Sequence, residues 1–430
     1  MTTQEAPQNA LLASQQPQSA GEYLGNYLRR VRSGDLGALP IILGLIVIGI
    51  IFQTQNANFL TPRNLAQLIS QMAGLTILAY GLVFVLLLGE IDLSVGYVSA
   101  VAGVGVAIIL RPPAQLSLDI LGTTLIIQFS WLGAILLGVA VTTLIGLLQG
   151  FLISFFQLPS FIVTLAGLLA WNGVVLLIIG PGGTVVIQDQ VITGLANARM
   201  TPEQGWIAAA VLVALYAVMQ FSSVNTRRKQ GLAYTPVPIV IAQLVVVGLV
   251  IAGVAWIGAQ SDPRSGLPIG IPWVAIILIV LLFVLTFVAE RTRFGRYVYA
   301  IGGNKEAARR AGIRVERIRI QVFMLCSALA GLGGIILASR LRSVATDAGG
   351  GNILLNAVAA AVIGGTSLFG GRGKVSSAVL GALVIAGVDN GMGLLSLSAG
   401  HKFIVTGIVL LVAVIVDALS RRSQQHSGLA

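Results

Sequence analysis

Residues 89–96 read Gly-Glu-Ile-Asp-Leu-Ser-Val-Gly. They set two carboxylates and two glycines between two apolar runs, 68–88 and 94–110, each long enough or nearly long enough to cross a bilayer. Ionisable groups at such a place are costly and mark a path, a pair or a function. Only a few residues separate the runs, so this is a tight break between two candidate membrane helices and not a linker between domains.

The same pattern extends over the chain. Of 430 residues, 56% are hydrophobic and 10% charged, too little polar surface to cover a water-soluble globule of this size. Twelve apolar spans follow from the sequence: 36–52, 68–88, 94–110, 131–156, 161–180, 206–221, 237–259, 271–289, 318–338, 353–368, 376–393 and 401–419. The expected fold is an all-α polytopic membrane protein of about ten to twelve transmembrane helices, with broken or re-entrant segments at 89–96 and 353–373. Irregular backbone at membrane depth is allowed where it is buried in protein or lines a cavity. Residues 1–35, rich in Gln and Ala and without the basic-then-apolar order of a signal peptide, read as a disordered cytoplasmic tail. Residues 36–420 form the membrane domain, and 421–430 a second cytoplasmic tail. One cysteine, Cys326, can form no intramolecular disulfide.

Charge orients the spans. With the N-terminus inside, nineteen of the twenty-six Lys and Arg fall on cytoplasmic segments, nine of them between Arg291 and Arg319. The net charge of +11 therefore means orientation before it means nucleic acid. Trp131, Trp206, Trp256 and Trp273 fall near the opposite ends of their spans, where amphipathic rings settle, and Trp171 lies deep. Residues 76–96 and 357–373 both run from an apolar stretch into a glycine-rich break followed by a small-residue helix, an echo of the internal repeats of transporters.

The longest basic stretch, 290–319, contains a glycine pair, then Asn304 as an N-cap, a short helix of good formers from Lys305, and Gly312 as a stop. Such a helix could be a solvated connector or a strip on anionic lipid. Asp389 and Asn390, near the outer end of the eleventh span, could line the path of an uncharged ligand. Asn172, Gln149 and Gln71 are comparable candidates, and each is equally fit for an interhelical hydrogen bond.

Glu306-Ala307-Ala308, with Gly312 and Ile313 following, resembles the coupling loop of ABC importer permeases, in which a short helix docks on the ATPase subunit. Residues 89–96 resemble the glycine-acidic-Ile-Asp-Leu-Ser-Val-Gly element of the ribose and xylose branch of monosaccharide permeases. Pro159-Ser160-Phe161-Ile162-Val163-Thr164-Leu165, Arg293-Phe294-Gly295-Arg296 and the run from Gly364 to Gly373 match the same branch in order. The extra apolar run and loop between Arg227 and Trp273 resembles the longer xylose-type members. The resemblance implies a permease subunit in the bacterial inner membrane, both termini cytoplasmic, working as a pair of permease copies in the lipid bilayer. Its partners would be ABC ATPase subunits and an extracytoplasmic sugar-binding protein. It also implies that Asn304, Glu306, Ala307, Ala308, Gly312 and Ile313 couple to the ATPase, that ATP is used by the partners, and that this chain binds no cofactor or nucleic acid and is no enzyme.

Rival chemistries are thinner. Glu90 and Asp92 have no neighbouring His or metal set with which to act as acid and base. More in keeping with their place is a gating role, in which they cap the free N–H groups of the next half-helix with Ser94 as the neutral member. A plain turn with solvated acids is the competing expectation. Gly370-Gly371-Arg372-Gly373-Lys374 is no phosphate loop, since Leu368 stands where the first glycine belongs and no strand precedes it. His401 and His426 are too few for a metal site. An ion-driven secondary transporter should place ionisable residues mid-helix, and here the cases reduce to Asp389 and Glu90.

Overall fold

The computed structural model describes residues 21–22, 25, 37, 39–111, 115–120, 123–232, 234–408, 411 and 415. The C-terminal tail with His426, most of the N-terminal tail and most of the end of the twelfth span lie outside the described residues. Two separately packed units emerge, one formed by Ala38–Ala198 and Pro272–Leu419, the other containing Arg199–Ile271.

In the larger unit the helices are α1 (Leu39–Gln55), α2 (Pro62–Leu87), α3 (Val95–Ile109), α4 (Trp131–Phe155), α5 (Ser160–Ile179) and α6 (Gln190–Asn197). After the smaller unit come α9 (Val274–Arg291), α10 (Arg293–Gly303), α11 (Lys305–Arg310), α12 (Val315–Leu341), α13 (Ile353–Ile363) and α14 (Val375–Leu394). The smaller unit holds α7 (Pro202–Lys229) and α8 (Val237–Ala259), packed as a hairpin. Two antiparallel pairs join strands β1 (Gln115–Ile120) with β2 (Thr123–Gln128) and β3 (Thr184–Val186) with β4 (Ser343–Ala345).

Each of the twelve expected spans contains described helical residues, but they are not equal. Among the described residues eight helices are long and apolar enough to cross a membrane, whereas α1, α3 and α13, of 17, 15 and 11 residues, are shorter. Helix starts follow local chemistry: Thr61 accepts from Asn64 N with Pro62 behind it, Ser130 accepts from Gly133 N, and Thr201 forms a capping box with Gln204.

Helix α12 is the axis of the larger unit, packed against α2, α3 and α4. Without a hydrophobic drive in lipid, helices associate by close packing at small residues, and α12 carries them on several faces. A Cβ on Gly334 would stand 1.8 Å from Ser99 O, one on Gly331 2.3 Å from Thr142 Oγ1, and one on Gly333 2.1 Å from a Leu78 methyl. Helix α2 is the second axis, sheathed by α9, α13 and α14. By contrast α7 and α8 bury almost nothing, so their apolar residues are left for lipid.

The short helices α3 and α13 share one arrangement. Helix α2 runs antiparallel to α12, since Gly74 lies at Leu337 and Gly81 at Cys326. Its C-terminus is therefore at the end of the bundle that carries α10 and α11, called here the basic end. The chain then climbs back, so that α3 begins inside the bundle beside α4 and runs to the far end. From that far end the segment 343–352 descends until Gly349 meets Gly96, and α13 continues to the basic end. The starts of two half-length helices thus meet backbone to backbone within the bundle.

Candidate gating and coupling site

The break between α2 and α3 is folded in on itself. Gly89 holds φ +75°, a conformation that suits glycine, and Glu90 N returns to Val85 O at 3.1 Å. Glu90 Oε1 meets Arg319 Nη2 of α12 at 2.6 Å, with little exposure of either side chain. Ile91 is gripped by α5: its N–H donates to Ser160 Oγ at 3.2 Å, and Thr164 Oγ1 lies 3.3 Å from its carbonyl.

Asp92 is 1% exposed and Ser94 fully buried. Asp92 Oδ1 accepts from Ser94 N at 2.9 Å and from Ser94 Oγ at 2.7 Å. A serine has one proton to give, so Ser94 Oγ donates to Asp92 and accepts from Gln149 Nε2 of α4 at 2.9 Å. Among the described residues, Asp92 Oδ2 and the Trp171 indole N–H are buried with no hydrogen-bond partner, and the Cys326 thiol lies beside the carboxylate. Gly167 makes room for the cluster, since a Cβ there would stand 2.4 Å from Gln149 Nε2.

The turn with solvated acids is therefore corrected: both carboxylates are withdrawn from solvent and engaged. Their roles also divide. Asp92 restrains the start of α3, whereas Glu90 pairs with Arg319 and, among the described residues, caps no helix N–H. Arg319 is the residue that sequence reasoning missed, counted among the basic residues of the loop but buried in α12 at 7% exposure. Its signal was its distance beyond Val315, already inside an apolar helix.

The basic stretch forms two helices. Asn304 caps α11, its Oδ1 accepting from Ala307 N at 2.9 Å. Gly312, at φ +82°, ends it, and Ile313 N reaches back to Ala308 O at 3.1 Å. Ala308 is buried and Ile313 packs on the core, while Asn304, Glu306, Ala307 and Gly312 are exposed. Arg309 bridges Glu316 at 2.6 Å and Glu306 at 3.5 Å, and the Glu316 hydrogen bond and charge hold its guanidinium above its ordinary range.

Glycines join this unit to the break. A Cβ on Gly302, in the last turn of α10, would fall 1.7 Å from Leu87 O, and that carbonyl accepts from Gly371 N at 2.9 Å. Gly370 meets Gly302 O and Gly89 N, so the two glycine-rich breaks touch each other and the end of α10. Tyr299 Oη donates to Gly373 O at 2.8 Å. Burial and then the Glu290 carboxylate push this phenol above its usual pKa, which keeps it a donor.

The remaining candidates lie apart. On α14, Asn390 exchanges a reciprocal amide pair with Asn64 at 2.8 and 3.0 Å and donates to Gln71 Oε1 at 2.9 Å. Asp389 is exposed and pairs with Lys402 at 3.2 Å. Asn172 is half-buried on α5. Glu90, Asp92 and Ser94 thus form one constellation with Gln149, and Asp389 and Asn390 belong to the far end. Among the described residues no group of His, Cys, Asp and Glu could hold a metal ion.

A family model described as "Branched-chain amino acid transport system / permease component" matches residues 64–414. The chain is 36% identical over 399 residues to the xylose transport system permease protein of Escherichia coli strain K12, covering 91% of this chain and 94% of that one. It is 31% identical over 399 residues to the protein of the same name from Haemophilus influenzae, covering 91% and 99%. It is also 31% identical over 384 residues to the ribose import permease protein of Bacillus subtilis, covering 89% and 94%. No solved structure gives a significant match.

Proposed function

The chain belongs to the family of branched-chain amino acid transport system permease components, and from that premise we propose that it is the membrane-spanning permease subunit of an ATP-driven monosaccharide importer. The sugar is xylose or a related pentose, handed over by a separate sugar-binding protein, and two permease copies work beside ATPase subunits. Relatives named for xylose and ribose transport support the substrate class, and the greater identity to a xylose-system relative favours xylose. The basic end faces the cytoplasm, as positive charge on short loops requires.

One observation carries the coupling role: α11 presents Glu306, Ala307 and Gly312 to solvent on the end of a rigid helix whose Gly302 rests on the Leu87 carbonyl. A push on α11 passes through α10 to the end of α2, to the 364–373 turn and to the break that holds Glu90 and Asp92. Small residues on the exposed face let a groove on the ATPase close over it. Glu90 and Asp92 then hold one of two positions of the α2–α3 break, and binding energy of the partners selects between them.

The test uses the complex purified from native membranes with its ATPase and placed in lipid discs. Glu306→Arg, on the exposed first turn of α11, should leave assembly and basal ATP hydrolysis intact and lower the stimulation given by sugar-loaded binding protein. Unchanged stimulation in a well-assembled complex would overturn the coupling role. A chain that purifies alone and moves sugar on a proton or sodium gradient would overturn the ATP-driven reading.

A further inference from the structure

Between α3, α12 and the descending segment 343–353 lies a cavity of about 290 Å³. It is just below the range of about 300–1000 Å³ that holds drug-sized ligands, so it suits one small ring. Its apolar wall includes Leu337 and Leu341, and its polar groups are few: Ser99, Ser343, Asp347 and the peptide groups of Gly349 and Gly350. Few, placed polar groups in an apolar cup are the usual make-up of a small-molecule site.

The walls decide the chemistry of the occupant. No Lys or Arg lines the cavity among the described residues. Asp347 is exposed and, among the described residues, its carboxylate has no ion-pair or hydrogen-bond partner. A carboxylate accepts and does not donate, and its two oxygens can take two adjacent hydroxyls. An anion is repelled there, and a plain hydrocarbon would strand the polar wall. Ser99 Oγ spends its proton on Gly96 O at 2.6 Å, so it can only accept. The glycines are required: a Cβ on Gly349 would fall 2.5 Å from Gly96 O, and one on Gly350 2.8 Å from Tyr97 Oη.

We propose that this cavity holds one neutral polyhydroxylated molecule of pentose size during its passage, with Asp347 accepting ligand hydroxyls and Leu337 and Leu341 covering a C–H face. The site rests on the transport reading above and adds to it the place where the sugar pauses. Because one wall is the segment joined to α13, which runs to the 364–373 turn, occupation of the cavity bears on the same element that α10 touches.

The test is labelling of Ser343→Cys in the assembled complex with a membrane-impermeant thiol reagent. Native Cys326 is fully buried and gives no background. D-xylose should slow the labelling several-fold, and gluconate, an anion of similar size, should not. In parallel, Asp347→Asn should raise the KM of xylose uptake about tenfold, the scale of losing one hydrogen bond to a charged group. A complex that transports xylose but shows no protection of Cys at 343 and no change of KM in Asp347→Asn overturns this site alone. A complex that moves no pentose at all overturns the transport reading and the site with it.

Discussion

Arg319 Nη2 lies 2.6 Å from Glu90 Oε1, and the two side chains are 8% and 16% exposed. One belongs to the central helix α12 and the other to the break between α2 and α3, so a single ion pair pins the break to the axis of the bundle. Removing one partner of a buried pair leaves an uncompensated charge and costs about 3–5 kcal/mol, far more than replacing both. Arg319→Met should therefore lower the thermal midpoint of the purified protein markedly, and Glu90→Gln with Arg319→Met should recover most of the loss. Equal midpoints for the single and double variants would show the pair to be solvated.

Gly302 and Gly303 are neighbours with opposite surroundings. A Cβ on Gly302 meets Leu87 O at 1.7 Å, and one on Gly303 meets nothing within 4 Å. Gly302→Ala should displace α10 from the end of α2, reducing sugar-stimulated ATP hydrolysis by much more than Gly303→Ala, which should behave as the parent. The comparison is made at equal assembly with the ATPase.

Within α5 the same logic isolates the Asp92 cluster. Gly167→Ala would intrude on Gln149 Nε2, whereas Gly173→Ala meets open space. The first should cost about 1 kcal/mol as the Gln149 to Ser94 hydrogen bond is lost. The second should be neutral or stabilising by up to about 1 kcal/mol, the ordinary helix preference for alanine over glycine. Thermal midpoints of both variants check this, and equal losses would count against the cluster.

Helix positions were legible because apolar length is the strongest signal a membrane chain carries, and α8 runs over the predicted 237–259. The break at 89–96 and the segment 353–373 were legible as broken or re-entrant, whereas 94–110 reads as nearly long enough to cross and yields the 15-residue α3. What the sequence could not reveal is depth. Ser94 reads as an interfacial residue next to a cytoplasmic turn, yet its hydrogen bond to Gln149 draws it into the bundle, because the break climbs after Gly89. Arg319 was hidden because charge counting treats a loop and the first turns after it alike. Asn390 was visible as a polar residue in a span, but its partners Asn64 and Gln71 are more than 300 residues away.

Asn390, so bonded, fastens α14 to α2. Asn390→Ala should destabilise by about 1 kcal/mol, the scale of interhelical polar contacts in lipid, with the KM for sugar uptake unchanged. A raised KM at unchanged stability would move Asn390 to the path.

Sidedness is open to a direct check. Ala307→Cys on α11 and Ser130→Cys before α4 are exposed at opposite ends of the larger unit. In sealed cells an impermeant thiol reagent should label the second at once and the first only after permeabilisation, with Cys326 silent. The reverse order would invert the orientation.

Trp273 N donates to Ala198 O at 3.0 Å, and two residues further along Met200 N donates to Ile271 O at 2.8 Å. The α7–α8 hairpin therefore leaves and re-enters the chain through one narrow doorway. Two crossings added or removed at such a point change the parity of nothing downstream, so every later helix keeps its direction. A lineage could gain or shed this pair in one genetic event, and an engineer could splice a reporter there, with the rest of the fold keeping its address on either side of the membrane.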